Sequence, residues 1–141
     1  MARLACSDWI AQVDCRHDGA GFVAEQGSSR VFRMSFGEGK LADKRGGDRE
    51  RNIRHLTKNA KRIQEARAAD GGKGRVWVHC AQGINRGPAG LMAYLLLHTD
   101  APSLKAVQRM VKARRAKART RSNTFATELE EICRAASKPL E

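Results

Sequence analysis

Apolar positions with helical spacing dominate the chain from residue 48 onward. Ile53, Leu56, Ala60 and Ile63 lie three or four residues apart with basic residues between them. This pattern predicts a helix that begins at residue 48 and ends at the glycines at positions 71 and 72. Residues 88–98 are apolar on nearly all sides, so we expect a helix that starts at Pro88 and lies centrally in the core.

Two amphipathic segments follow. Ser103 is typical of a helix N-cap, and the helix after it is expected to run from residue 104 to about residue 118. A last helix is predicted from about residue 124 to residue 136. The apolar faces of these two helices comprise Leu104, Val107 and Val111, with Met110 alongside, and Phe125, Leu129 and Ile132.

Shorter apolar runs at residues 10–14, 31–36 and 75–79 predict strands. The last of these has the blurred alternation expected of a strand buried on both faces. Residues 37–47 include four glycines and five charges, which indicates an exposed, mobile loop. Early strands and late helices predict one α/β domain over residues 1–141, with a central, mostly parallel sheet flanked by helices.

The charge of the chain indicates an anionic partner. It has 27 basic and 15 acidic residues, a formal net charge of +12.

The longest strongly apolar run, residues 89–97, is too short to span a bilayer, and the first residues lack the continuous apolar segment of a signal peptide. We therefore expect an intracellular, cytoplasmic monomer with no membrane span, although organelle targeting stays open.

The four cysteines are scattered along the chain, and neither they nor the four histidines have the spacing of a zinc site. No metal and no other cofactor are predicted. One reactive thiol and three ordinary ones are the simplest interpretation. A regulatory disulfide between Cys80 and either Cys15 or Cys133 is an alternative.

Candidate chemistry is concentrated in residues 76–88, Val-Trp-Val-His-Cys-Ala-Gln-Gly-Ile-Asn-Arg-Gly-Pro. We expect a strand, a tight loop and a helix, with Cys80 at the start of the loop and Arg86 six positions later. Five intervening residues let the backbone N–H groups converge on one anion, and Arg86 adds a bidentate fork for two phosphate oxygens. The same positive surroundings favour the thiolate of Cys80, which is its nucleophilic form. The residues predicted to bind the substrate phosphate are Ala81, Gln82, Gly83, Ile84, Asn85 and Arg86.

This motif resembles the phosphate-binding loop of the cysteine-dependent protein tyrosine phosphatase superfamily, whose pattern is His-Cys, five residues, Arg. His79 completes the pattern and is expected to order the loop by hydrogen bonding. The resemblance to the dual-specificity branch covers residues 10–132, including Gly-Lys-Gly-Arg-Val-Trp-Val-His-Cys before the loop and Ala-Tyr-Leu-Leu after it. It implies a dual-specificity phosphatase-like fold and hydrolysis of protein phosphotyrosine, phosphoserine or phosphothreonine through a phosphocysteine intermediate.

The resemblance also implies an aspartate general acid about thirty residues before the cysteine. Asp48 precedes Cys80 by 32 residues and is our candidate, whereas Asp43 precedes it by 37 and is the alternative. A third interpretation makes Asp48 only a helix N-cap. The chain departs from the branch at Gly87, where a serine or threonine hydroxyl usually helps to release the thiolate. Gly87 therefore leaves open how fast the intermediate is hydrolysed.

Several substrate classes stay open besides phosphoprotein. Arg86-Gly87-Pro88 and Gly-Lys-Gly-Arg-Val are similar to plant glucan phosphatases, but seven aromatic residues offer few sugar platforms. Asn85-Arg86 is similar to the loop of the superfamily's RNA 5′-triphosphatases, and residues 112–121, six of them basic, would suit RNA unless they form a merely solvated helix face. The lack of lysine in the loop disfavours inositol phosphates. A phosphate-binding pseudophosphatase is the remaining alternative.

Overall fold

The computed structural model describes residues 11–14, 21–26, 29–33, 46–68, 76–79 and 84–141, and the side chains of residues 49–68 and 84–141. Within these residues, no helix has the length and apolarity needed to cross a membrane.

Four strands form one sheet in the order β2-β3-β1-β4. Their bounds are β1 (Ala11–Asp14), β2 (Gly21–Gln26), β3 (Ser29–Arg33) and β4 (Val76–His79). β1 pairs in parallel with both β3 and β4, and β2 pairs antiparallel with β3. Two of these three pairings are therefore parallel, and β4 lies next to β1 at the end of this strand order.

The strand β2 is absent from the sequence-based prediction. It precedes β3 by the two residues Gly27-Ser28, a dipeptide typical of a two-residue hairpin turn, and this was the signal that could have located it. A register shift between Phe22 and Ala24 interrupts the pairing, as in a β-bulge, and such a shift blurs the alternation of the strand. β3 begins at Ser29, two residues before the predicted start.

Four helices complete the described structure: α1 (Gly46–Ala68), α2 (Arg86–His98), α3 (Leu104–Arg114) and α4 (Ala126–Ala135). α1 starts two residues earlier than predicted, so residues 46–47 belong to a helix and not to the predicted loop. The rest of that predicted loop, residues 37–45, lies outside the described residues. The predicted glycine stop at 71 and 72 lies outside them as well.

The core lies where α1, α2, α3 and α4 pack together, and the predicted apolar faces are largely confirmed. Its buried side chains include Leu56, Ala60, Ile63, Met92, Leu96, Val107, Phe125, Leu129 and Ile132. Met110 differs from the expectation because it is 47% exposed. The helix α2, which was predicted to be central, buries eight of its thirteen residues.

The helix α3 ends at Arg114 and not near residue 118. Arg115 adopts an extended conformation, with φ −148° and ψ 103°, and the chain then turns so that Ala118 is fully buried. The ammonium of Lys112 donates to the carbonyl of Ala118 at 2.8 Å. Burial of Ala118 and this hydrogen bond both favour the turn over another turn of helix.

The start of α3 is capped by a side chain and by the C-terminal residues. The Ser103 hydroxyl accepts a hydrogen bond from the backbone N–H of Ala106 at 3.0 Å, as predicted for an N-cap. The N–H groups of Leu104 and Lys105 donate to the carbonyls of Pro139 and Leu140 at 3.1 and 2.9 Å. The first amides of α3, which have no acceptor within the helix, are satisfied in this way.

Candidate active site

The predicted strand–loop–helix unit is bounded by β4 and α2. β4 ends at His79, and α2 begins at Arg86. His79 and Arg33 are both in register with Asp14 of the central strand β1, and all three strands run in parallel. The carboxyl ends of three strands therefore meet at one edge of the sheet, the usual place for a ligand in such folds. The segment between β4 and α2 leaves from this edge.

The start of α2 is suited to a nearby anion. Asn85 is the N-cap, and its carbonyl accepts the first helical hydrogen bond, from Ala89 N–H at 3.0 Å. Its side chain does not cap the helix, and the first turn contains no acidic residue. Pro88 is the third helical residue, where a backbone N–H would have no acceptor within the helix, so its missing N–H costs nothing. No acidic side chain of the first turn therefore neutralises the positive end of the helix dipole.

A buried asparagine fixes the last part of the loop. The Asn123 side-chain Nδ2 donates to the carbonyls of Asn85 and Arg119, both at 2.8 Å. Its Oδ1 accepts from the backbone N–H of Phe125 at 2.9 Å. Asn123 is 5% exposed. Its hydrogen bond to Asn85 joins the loop end to the segment before α4, and the other two fix its side chain within residues 119–125.

Two further hydrogen bonds connect the same parts of the chain. The Asn85 side-chain Oδ1 accepts from the backbone N–H of Thr124 at 2.9 Å. The backbone N–H of Arg119 donates to the carbonyl of Ile84 at 2.7 Å. The Oδ1 and the carbonyl of Asn85 are therefore both used structurally. Residues 119–124 hold Ile84 and Asn85 immediately before Arg86.

The first turns of α1 are tied to α4. Asn52, fully buried, donates through Nδ2 to the Glu128 carboxylate at 3.0 Å, and the Thr127 hydroxyl donates to the other oxygen of that carboxylate at 2.6 Å. At the surface, Arg49 forms a 2.6 Å ion pair with Glu131. Residues 119–131 thus contact both the end of the loop and the part of α1 that follows Asp48.

Comparison with known proteins gives a fold and no close relative. No protein-family model matches the chain, and no curated protein matches it. Among solved structures, human DUSP28 superimposes with a TM-score of 0.69 at 21% identity, covering 92% of this chain and 78% of that one. A mouse candidate dual specificity phosphatase, complexed with zinc tungstate, gives a TM-score of 0.68 at 23% identity, covering 91% of this chain and 71% of its own.

This chain has the dual-specificity phosphatase fold. The resemblance inferred from the residues around Cys80 is thereby confirmed at the level of the fold. The structure describes three of the predicted site residues with their side chains. They are Ile84, Asn85 and Arg86, all half-buried at the end of the loop.

The other predicted site residues stay predictions. Cys80, Ala81, Gln82, Gly83 and Asp43 lie outside the described residues. His79 and Asp48 are placed by their backbone only, at the end of β4 and in the first turn of α1. Cys15 also lies outside the described residues.

Cys133, one of two suggested disulfide partners, is described in full. It is a free, fully buried thiol that contacts the carbonyls of Lys138 and Pro139, both at 3.3 Å. Burial raises the pKa of the Cys133 thiol, which disfavours the reactive thiolate.

Asn123 is the residue of this region that sequence reasoning missed. An asparagine just before an amphipathic helix is usually interpreted as an N-cap. Here Phe125 occupies the N-cap position, and the Asn123 side chain is directed to the loop of another segment. The sequence signal, a lone Asn between Ser122 and Thr124, does not distinguish these two roles.

Proposed function

We propose that this protein is a cysteine-dependent phosphatase that hydrolyses phosphomonoesters through a phosphocysteine intermediate. The observation that carries the proposal is the dual-specificity phosphatase fold, in which the segment from His79 to Arg86 has the Cys-to-Arg spacing of the phosphate-binding loop. The mouse neighbour was solved with zinc tungstate, and tungstate is a tetrahedral oxyanion like phosphate. An oxyanion ligand on a neighbour of this fold supports a phosphate ligand for this chain.

The proposed reaction has two steps. The Cys80 thiolate attacks phosphorus, an S–P bond forms, and the P–O bond to the leaving group breaks. Asp48 donates a proton to the leaving oxygen as that bond breaks. Water then attacks phosphorus and gives a proton to the Asp48 carboxylate, a P–O bond forms as the S–P bond breaks, and inorganic phosphate and the thiolate are released. The Arg86 guanidinium and the loop N–H groups stabilise the charge on the equatorial oxygens in both steps.

The test is turnover of phosphotyrosine peptide and of an aryl phosphate with a good leaving group. Cys80→Ser is expected to have no turnover on either, and Arg86→Lys to lose at least about 100-fold because a single ammonium replaces a bidentate fork. Asp48→Asn is expected to lower kcat by about 10²–10⁴ on the peptide and by less on the good leaving group, which needs no proton.

Asp43→Asn is the matched control and should retain wild-type turnover on both substrates. If Asp43→Asn gives the leaving-group-dependent loss in place of Asp48→Asn, the acid is Asp43. Full activity of Cys80→Ser would exclude the phosphocysteine route altogether. A burst of released leaving group (the phenol or the dephosphorylated peptide) equal to the enzyme concentration, with no turnover after it, would indicate a pseudophosphatase in which Gly87 fails to release the thiolate.

Phosphorylated protein is the first proposed substrate, with phosphoglucan beside it. The described surface offers little to a sugar chain, because Tyr94 is 5% exposed, Phe125 is fully buried, and no other aromatic side chain is described. An RNA 5′-triphosphate is the second candidate, favoured by the exposed basic residues between positions 112 and 121. We further propose a cytoplasmic monomer that needs no cofactor.

A further inference from the structure

All charged residues in the stretch from the start of α3 to the start of α4 are basic. Between Asp100 and Glu128 the chain has no acidic residue. Its eight basic residues are Lys105, Arg109, Lys112, Arg114, Arg115, Lys117, Arg119 and Arg121. The last six lie within ten positions, at residues 112–121, which we call the basic segment.

The basic segment presents its charges to solvent. Five of its side chains are exposed: Lys112, Arg114, Lys117, Arg119 and Arg121. Ala118 and Thr120, which alternate with three of them, are 0% and 8% exposed and anchor the backbone in the fold. None of the five exposed side chains enters an ion pair within the described part of the chain. The basic residues that pair with its acidic ones include Arg49, Lys105 and Arg134. Their charge is therefore available to an external anion.

This surface directly adjoins the end of the phosphate loop. The backbone N–H of Arg119 donates to the carbonyl of Ile84 at 2.7 Å, and Asn123 joins the carbonyls of Arg119 and Asn85. Residue 119 is thus in backbone contact with a residue two positions before Arg86. A polyanion with one end at the loop would run along the basic segment.

The composition of the surface favours nucleic acid over a folded protein. Protein interfaces depend on buried aromatic and aliphatic anchors at their centre. Among the described residues, Met110 is the one large hydrophobic side chain that is exposed. A nucleic acid strand offers a phosphate at every nucleotide, and cationic side chains alone can bind it.

We propose that the basic segment binds the sugar–phosphate backbone of a single-stranded nucleic acid next to the phosphate loop. Binding requires no turnover, so this interaction goes beyond the proposed phosphatase activity and can be measured independently of it.

The experiment measures binding of 12-nucleotide single-stranded RNA and DNA, labelled at the 3′ end and phosphorylated at the 5′ end, to full-length Cys80→Ser protein. Fluorescence anisotropy is recorded between 50 and 300 mM NaCl. Five phosphate contacts predict a slope of log K against log salt of about −3.5, from roughly −0.7 per contact on a single strand. A slope near zero would overturn the proposal.

Charge removal locates the contact. K117A/R119A/R121A is expected to reduce the slope to about −1.4 and to weaken binding at 50 mM NaCl by at least about tenfold. The matched control R54A/K58A/K61A removes the same charge from exposed residues of α1 and should bind within about threefold of the parent. Equal losses in both variants would show that net charge alone attracts the oligonucleotide, and would overturn the proposal.

A second triple variant guards against damage to the loop. R114A/K117A/R121A leaves Arg119 intact and should weaken binding as strongly as the first. In the background with Cys80 intact, R114A/K117A/R121A should retain aryl phosphate turnover. Loss of binding in the first triple alone would assign the effect to the loop contact of residue 119 and would contradict the proposal.

Two other polyanions serve as competitors. The first is an acidic phosphopeptide with the same net charge as the oligonucleotide, and the second is a vesicle containing phosphatidylserine. Both are expected to bind more weakly than the oligonucleotides at equal salt. Tighter binding of either would overturn the proposal in favour of that partner. Oligonucleotide binding without any phosphatase turnover would refute the proposed function alone, and turnover without oligonucleotide binding would refute this inference alone.

Discussion

Two asparagines of α1 differ in one respect that decides their contribution to stability. Asn52 and Asn59 are both fully buried and lie seven residues apart, two turns along the helix. Asn52 donates through Nδ2 to the Glu128 carboxylate, although its Oδ1 has no partner among the described residues. Neither polar atom of the Asn59 side chain has a hydrogen-bond partner in the part of the chain that the structure describes. Burying an amide without a partner costs free energy, so Asn59 destabilises the fold.

Replacing each asparagine with leucine, which has a similar volume, tests this difference. Asn59→Leu is expected to raise the free energy of unfolding by about 1 kcal/mol, because an unsatisfied amide becomes an apolar group. Asn52→Leu is expected to lower it by about 1–3 kcal/mol, because the buried Glu128 carboxylate loses a donor. Urea unfolding of the two variants and the wild type provides the measurement. A loss of stability in Asn59→Leu as large as in Asn52→Leu would contradict this account.

His55 makes the stability of the protein depend on pH. Burial lowers the pKa of its imidazole from the ordinary value of 6.5, and the neighbouring charges of Arg51, Arg54 and Lys58 lower it further. The unfolded chain therefore takes up the proton at a higher pH than the folded one. The stability contributed by neutral His55 is present above pH 6.5 and is lost as the pH falls through the lowered pKa.

Unfolding midpoints in urea between pH 8 and pH 5 are expected to decrease towards the acid side. His55→Gln should flatten this dependence, because glutamine does not titrate. Added NaCl should flatten it partly, since salt screens the three nearby cations. A slope in His55→Gln equal to that of the wild type would assign the pH dependence to other groups.

At the scale of elements, the most informative connection is between the loop end and the segment before α4. Asn123→Ala removes three hydrogen bonds and leaves the carbonyl of Asn85 without its side-chain donor. The free energy of unfolding is expected to fall by about 1–3 kcal/mol. Because Asn85 is held next to Arg86, affinity for tungstate or vanadate should fall as well. Titration calorimetry at a temperature where both proteins are folded measures the second effect.

Ser122→Ala is the matched control, since Ser122 is exposed and adjacent in sequence. It should leave stability and oxyanion affinity close to the wild-type values. If Asn123→Ala lost stability and kept full oxyanion affinity, the contact would be structural only, and the positioning of the loop would depend on other residues.

The helices could be predicted from the sequence where features of the same segment determine them, and not where contacts with other segments do. α2 and the apolar face of α4 were predictable, because apolar spacing and Pro88 are local features. The end of α3 was not, because it depends on the burial of Ala118 and on a hydrogen bond from Lys112, neither of which is visible in the periodicity. Likewise, Asn52 and Asn59 fall on the buried side of α1 although only apolar residues were assigned to it.

For the site, the sequence predicted the bounding elements β4 and α2, whereas the supporting contacts required the structure, and the chemistry of Cys80 and Arg86 stays a prediction. The spacing from Cys80 to Arg86 indicated phosphate binding without any tertiary information. The link between Asn123 and Asn85 joins residues 38 positions apart, and no local pattern encodes such a pairing.

At the scale of the whole molecule, the net charge of +12 opposes folding through self-repulsion. The Debye length falls from about 10 Å at 0.1 M to about 3 Å at 1 M salt, so salt screens most of this repulsion. Raising NaCl from 0.05 to 0.5 M is expected to increase Tm by about 4 °C, equivalent to about 1 kcal/mol. Differential scanning calorimetry in NaCl is suitable, whereas sulfate would also strengthen hydrophobic burial.

The variant R54Q/K58Q/K61Q serves as the comparison for this measurement. With three fewer charges it should be less dependent on salt than the wild type. A Tm that is constant or decreasing over this range of NaCl would show that attractive pairs, and not repulsion, dominate the electrostatics of the fold.

The contacts at the start of α3 also have a consequence for biosynthesis. Leu104 and Lys105 donate to carbonyls that are each made 35 residues later, at Pro139 and Leu140. As the chain emerges from the ribosome, α3 therefore appears before the acceptors that complete its first turn. Until then Ser103 is the cap that the nascent helix has. The order of synthesis thus makes this end of the helix close only after residues 139 and 140 have emerged.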